Sequence, residues 1–150
     1  MRALIQRVKE ASVTVEGNVI SSIDAGALIL LGIEAEDTSE DINWLASKIA
    51  KLRIFDDEAG VMNCSLSEVN GGVIVVSQFT LHASTKKGNR PSYIKAARPE
   101  FANPMYEQFV QELTKVLSTN VQTGIFGAMM EVALINDGPV TIMIDTKNME

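Results

Sequence analysis

Residues 132–145 read VALINDGPVTIMID, two apolar, β-favouring runs separated by Asn136-Asp137-Gly138-Pro139. How those runs pair decides what sheet the chain can build. Asp-Gly is a strong hairpin signal, and a proline can open an edge strand because no ladder donor is needed there. The pattern therefore predicts strand, turn, strand. The Gly138-Pro139 bond leaves a second reading open. An X-Pro bond is the one peptide bond that becomes cis at modest cost, about 0.5–1 kcal/mol, and a cis bond re-aims the carbonyls beside it. Gly138 and Pro139 then present two acceptors to a ligand.

Upstream the same punctuation recurs. Residues 1–8 and 11–17 read as strands, and Gly17-Asn18 signals a hairpin. GALILLGI, residues 26–33, is a continuous apolar run of strand length and predicts a fully buried strand. From Thr38 onward, Ile42, Leu45, Ala46, Ile49 and Leu52 fall at helical spacing, with Thr38 as N-cap and Asp41 three residues on. Residues 55–72 are polar and glycine-punctuated, so they predict connections or a short hairpin. GVIVVSQFTL, residues 72–81, resumes as a buried strand. A second helix is predicted from Asn103, with Pro104 at its first position and Tyr106, Phe109, Val110, Leu113, Val116 and Leu117 on its apolar face. VQTGIFG, AMMEVALI and VTIMID read as closing strands. Seven or eight strands and two helices, without regular βα alternation, predict an α+β domain with mostly antiparallel pairing over residues 1–150.

Composition narrows the chemistry. The 150 residues, 46% of them hydrophobic, suffice for one core. A single cysteine, Cys64, and a single histidine, His82, exclude an intramolecular disulfide and a Cys/His zinc cage. No apolar run approaches the roughly 18 residues of a membrane span, so the expectation is a cytoplasmic protein with no membrane partner. The net charge of -6 opposes a polyanionic partner, but its distribution does not. Between Glu68 and Glu100 there is no acidic residue, while Lys86, Lys87, Arg90, Lys95 and Arg98 lie inside that window, which carries +5 against -11 for the remainder. Such segregation focuses an anionic ligand onto one region, although a solvated basic loop accounts for it equally well.

The strand at 72–81 changes character at Ser77, Gln78 and Thr80. Polar groups on a buried strand need partners or a ligand. Alternation predicts Ser77, Phe79 and Leu81 on one face and Gln78, Thr80 and His82 on the other. A nucleophilic Thr80 or Ser77 with His82 as base is disfavoured, because strand residues two apart are separated by roughly 6.6 Å. No metalloprotease, phosphate-loop, serine-hydrolase or dinucleotide motif occurs.

SQFTL at 77–81 and NDGPVT at 136–141, with MRALIQRV at 1–8, ASVTVEG, LLGIE, RIFDDEAGVMN and NRPSY in the same order, resemble the D-aminoacyl-tRNA deacylase family. The resemblance runs from residue 1 to about 145. It implies a homodimer with a barrel-like sheet and active sites at the subunit interface. It also implies hydrolysis of the ester between a D-amino acid, or mischarged glycine, and tRNA. Gly138 and Pro139 match the positions whose cis peptide enters the partner subunit and whose carbonyls receive the substrate ammonium. An L-residue would drive its side chain into that backbone. Ser77, Gln78, Phe79 and Thr80 match the pocket, with amides near Phe79 and Thr80 holding the oxyanion while the ribose 2'-hydroxyl assists water.

The resemblance further matches Arg7 to a brace of the Gly-Pro segment, where otherwise it reads as a strand-edge surface charge. Ala102 and Phe126 match the adenosine pocket, though Phe126 reads equally well as core. No cofactor or metal is implied. His82 departs from a commonly small residue and is expected at the pocket rim. A non-catalytic RNA-end binding module, or a purely structural or ligand-binding dimer, remains the alternative.

Overall fold

Residues 1–150 are described by a computed structural model. The chain order is β1 (Arg2–Val15), β2 (Asn18–Ile23), β3 (Gly26–Gly32), α1 (Ser39–Lys51), β4 (Phe55–Asp56), β5 (Met62–Cys64), α2 (Leu66–Val69), β6 (Gly72–Ser77), a 3-10 turn (Phe79–His82), α3 (Pro99–Leu117), β7 (Gln122–Thr123) and β8 (Glu131–Asp145). The apolar run at 26–33 supplies β3, which is buried throughout except at the half-buried Leu30. A strand covered on both faces has no use for alternation.

β1 is long enough for β3 to pair with Arg2–Val8 and β2 with Ala11–Val15. β6 lies parallel to β3, and β7 parallel to β6. The ring then closes through side chains: Ser21 Oγ donates to the Thr123 carbonyl, and the Gln122 amide exchanges two 2.8 Å hydrogen bonds with the Ser22 backbone. The result is a nearly closed barrel. β8 flanks it, paired along β1 and with no strand on its outer edge. Val8, Val13, Leu28, Ile74 and Val76 pack on one face of the sheet. α1 and α3 cover the other with Leu45, Ile49, Phe109 and Leu113, each apolar side chain contributing about 1.5–3 kcal/mol by leaving water.

α1 begins where the capping pattern predicted, with the Thr38 amide donating to Asp41 Oδ2 at 2.8 Å, and residues 55–64 form the short hairpin β4-β5. Five expectations are corrected. The run 132–145 is not a hairpin; it lies within one strand, and the Asn-Asp-Gly-Pro segment is a bulge whose direction never reverses. Residues 2–15 are likewise one strand, because exposed Lys9 and Glu10 sit at the matching irregularity of β1 rather than at a break. α3 starts at Pro99, not at Asn103; the first helical position suits either proline, and Pro104, on the exposed side of the helix, gives up the bond to the Glu100 carbonyl. β6 stops at Ser77, so the alternation predicted for residues 77–82 gives way to a 3-10 turn. VQTGIFG contributes only the two residues of β7, and the β3-β6 and β6-β7 pairs are parallel within an otherwise antiparallel sheet.

Candidate active site

The β3-β6 pairing ends at Ser77, and the Gln78 amide still reaches the Leu31 carbonyl at 2.7 Å. Beyond it the chain tightens into the 3-10 turn. Phe79 and Thr80 open that turn, so neither amide has a carbonyl three residues back inside it. The Gln78 side-chain amide donates to Thr80 Oγ1 and fixes its hydroxyl. Ser77, Gln78 and Thr80 are half-buried, whereas Phe79 is exposed. The turn rests on Gly32: a Cβ there would lie 3.0 Å from the Gln78 carbonyl oxygen and 3.0 Å from His82 Cδ2. His82 is therefore not at a rim. It is 1% exposed, and neither ring nitrogen has a hydrogen-bond partner.

The Gly138-Pro139 bond is cis, and both residues are exposed. Gly138 has φ +141°, a region that L side chains avoid. Arg7 lies beneath, buried rather than a surface charge. Its Nε donates to the Asp137 carbonyl and its Nη1 to the Ile54 carbonyl, each at 2.8 Å, and Nη1 also reaches Asp56 Oδ1 at 3.2 Å. Asn136 straps the segment from the other side, accepting from the Val140 amide at 2.9 Å and donating to the Val140 carbonyl at 3.0 Å.

Ala102 is buried in α3, and the Phe126 ring packs against the same core, 5.9 Å from that of Tyr106. Tyr106 donates to the Val75 carbonyl at 2.7 Å, and burial pushes its phenol up to about 12. Both predicted adenosine-pocket residues thus lie on the helix-covered face behind β6. The structure does not bring the 3-10 turn and the Gly-Pro segment together. Ser77 shares a row with Leu31, Ala3 and Ile144, whereas Gly138-Pro139 lies four residues along β1 from that row, at Arg7. Three strand spacings and that offset amount to roughly 20 Å of sheet. A cavity of about 650 Å³ beside Trp44, Lys48 and Asp145 contains none of the predicted site residues.

A protein-family model described as D-Tyr-tRNA(Tyr) deacylase matches residues 4–145. The chain belongs to that family. It is 65% identical over 150 residues, the whole of both chains, to the D-aminoacyl-tRNA deacylase of Flavobacterium johnsoniae. The corresponding proteins of Bacteroides fragilis and Chromobacterium violaceum are 63% and 58% identical over the same full length. Among solved structures it resembles the c-Myc DNA Unwinding Element Binding Protein, with a TM-score of 0.92, 41% identity, and coverage of 97% of this chain and 99% of that one. A probable eukaryotic D-amino acid tRNA deacylase shares the fold, with a TM-score of 0.83 and 15% identity over 95% of this chain and 97% of that one.

Within this deacylase fold, sequence reasoning passed over two supporting residues. Arg2 donates to the Leu81 carbonyl at 2.9 Å and to Asp145 Oδ2 at 2.8 Å, tying the 3-10 turn to the end of β8. Asn136 lay inside a quoted motif, but its grip on Val140 depends on the bulge. No helix is long and apolar enough to cross a membrane.

Proposed function

We propose that this deacylase, acting as a homodimer of single domains spanning residues 1–150, frees D-amino acids and mischarged glycine from tRNA at sites shared between subunits. In this reading the exposed Gly138-Pro139 backbone of one copy enters beside the 3-10 turn of the other. Its carbonyl oxygens accept from the substrate ammonium. The D-side chain then points to open space, an L-side chain meets backbone, and glycine has none to reject. Main-chain atoms make the exclusion indifferent to which D-residue is bound.

The chemistry asks little of the protein. An aminoacyl ester is already activated, and the ribose 2'-hydroxyl directs the attacking water. Amides at Phe79 and Thr80 stabilise the oxyanion, each such donor being worth about 2.7–4 kcal/mol in other enzymes. Thr80 positions rather than attacks, with its hydroxyl engaged by Gln78. Ser77 and Gln78 shape the pocket wall, and Ala102 and Phe126 line the adenosine side. No cofactor or metal enters any step.

The observation that carries this reading is the fixture around Gly138: a buried arginine and an asparagine hold main chain that is itself exposed. The unpaired outer edge of β8 supports the second copy, because a long open edge strand invites pairing. The test compares D-tyrosyl-tRNA with L-tyrosyl-tRNA, with and without protein, beside a sedimentation measurement of the free protein. Accelerated loss of the D-amino acid alone, from a dimer, is expected. Retained tRNA binding without hydrolysis would favour the RNA-end binding module, and a fully active monomer blind to handedness would end the shared-site reading.

A further inference from the structure

Two aromatic rings meet at the surface where the 3-10 turn joins the basic segment. The Phe79 and Tyr93 centroids are 5.1 Å apart with planes at 80°, an edge-to-face pair. Such pairs stabilise a buried contact beyond the area they cover, yet in the single chain Phe79 is 57% and Tyr93 39% exposed. A single exposed aromatic is unremarkable; a pair left open one residue from Thr80, amid unpaired cations, is not. Lys86, Lys87, Arg90, Lys95 and Arg98 take part in no salt bridge, and their side chains donate to no protein acceptor. In a chain of net charge -6, five such cations on one segment leave a local field with nothing inside the molecule to satisfy it.

The backbone around Tyr93 is already set. Ser84 and Ser92 exchange amide-carbonyl hydrogen bonds of 2.8 and 2.9 Å, pinching the base of the loop that carries Lys86, Lys87 and Arg90. On the other side the Ala96 amide donates to the Tyr93 carbonyl at 3.0 Å, and the Ala97 amide to the Ile33 carbonyl at 2.9 Å. Little ordering remains for a ligand to impose. Exposed aromatic faces flanked by cations along a backbone path are what single-stranded nucleic acid requires, since every base has a stackable face and every phosphate a charge.

We propose that Phe79 and Tyr93 form a stacking platform for an unpaired nucleobase of the RNA strand that enters the site, next to the esterified adenosine, while cations of residues 86–98 take its phosphates. The inference rests on the deacylase reading for the identity of the strand and adds to it a contact beyond the adenosine. It implies that the protein grips the unpaired 3' end of tRNA and not the adenosine alone.

The experiment measures equilibrium binding of uncharged tRNA and of the same tRNA lacking its unpaired 3' nucleotides. Wild-type protein should prefer the intact tRNA. Tyr93→Ala should weaken intact tRNA by about 5- to 150-fold, the span of one stacked base, and leave the truncated tRNA unaffected, which also reports that the variant is folded. Tyr93→Phe, which keeps the ring face, should bind like wild type. Arg90→Gln should lower the salt dependence of binding by about one phosphate contact. Equal weakening of both tRNAs by Tyr93→Ala, or of neither, would overturn the platform. D-tyrosyl-tRNA hydrolysis by the wild-type protein is scored separately, so failure of the deacylase reading and failure of the platform give different results.

Discussion

Arg7 and the Met1 ammonium are both buried cations beside β8, and they are put to different use. At the end of β8 the Met1 ammonium meets Asp37 Oδ1 at 2.5 Å and Thr146 Oγ1 at 3.0 Å, while Lys147 meets Asp41 Oδ2 at 2.8 Å. Charge answers charge there, and the network turns inward. Arg7 instead directs its shortest bonds to neutral carbonyls, those of Asp137 and Ile54. What it stabilises is a backbone shape facing outward. One network holds the fold closed; the other holds a surface in place.

Breaking each in turn should separate these roles. Arg7→Ala carries the largest expected effect: loss of one or two hydrogen bonds from a charged donor, each worth about 1.5–3 kcal/mol, should lower kcat/KM on D-tyrosyl-tRNA by about ten-fold to ten-thousand-fold. A variant that melted earlier yet kept its activity would place Arg7 with the inward network. Gly138→Ala comes next. Its Cβ would lie 2.8 Å from Val140 Cγ2 and 3.0 Å from Arg7 Nη2, at φ +141°. Backbone strain of about 1–3 kcal/mol and a displaced Arg7 should reduce turnover, read against circular dichroism to confirm the fold.

Arg2→Met tests the turn from below. Without its bond to the Leu81 carbonyl, made by a side chain one-third exposed to solvent, turnover should fall by about five- to ten-fold, less than the full worth of a buried charged donor, with handedness preserved; lost handedness would mean that Arg2 acts on the Gly-Pro segment after all.

Asp41→Asn should touch activity least. Burial alone would raise the Asp41 carboxyl, but hydrogen bonds from Lys147, Thr146 and the Thr38 amide outweigh it and hold the group well below the usual carboxylate range. A depressed folded pKa stabilises the fold fully above the unfolded value of about 4 and loses that contribution as pH falls toward the folded one. Wild type should therefore melt higher than Asp41→Asn at neutral pH, and the gap should close below about pH 4. A gap that stayed constant with pH would remove the ionised Asp41 from the network.

The same contrast explains what was legible in the sequence. α1 and β3 were readable because their signals are local: a cap with helical spacing in one, an unbroken apolar run in the other. Asp137-Gly138 misled because a glycine at positive φ serves a bulge as well as a turn, and only the partner strand tells them apart. Lys9 and Glu10 looked like a break for the same reason. The second helix was placed from Asn103 because Pro104 suits a first helical position, a signal that Pro99 carries equally. Residues 77–81 were identified by resemblance, yet their 3-10 geometry was hidden because VIVVSQFTL carries a strand's composition into the turn. Arg7 could be matched to a family position, but its burial depends on Ile54 and Asp137, which lie 47 and 130 residues away. His82 was expected outside and lies inside, packed on Gly32.

The strap from Asn136 to Val140 has a consequence for how such a protein can drift. If the Gly138-Pro139 backbone is the sieve proposed above, it exposes no side chain that point substitutions can trim or enlarge. Loosened stereochemistry would have to arise indirectly, through Asn136 or Arg7, which lie alongside and beneath the sieve rather than in it. Variants selected for relaxed enantiomer choice should therefore accumulate in its supports and leave its face untouched.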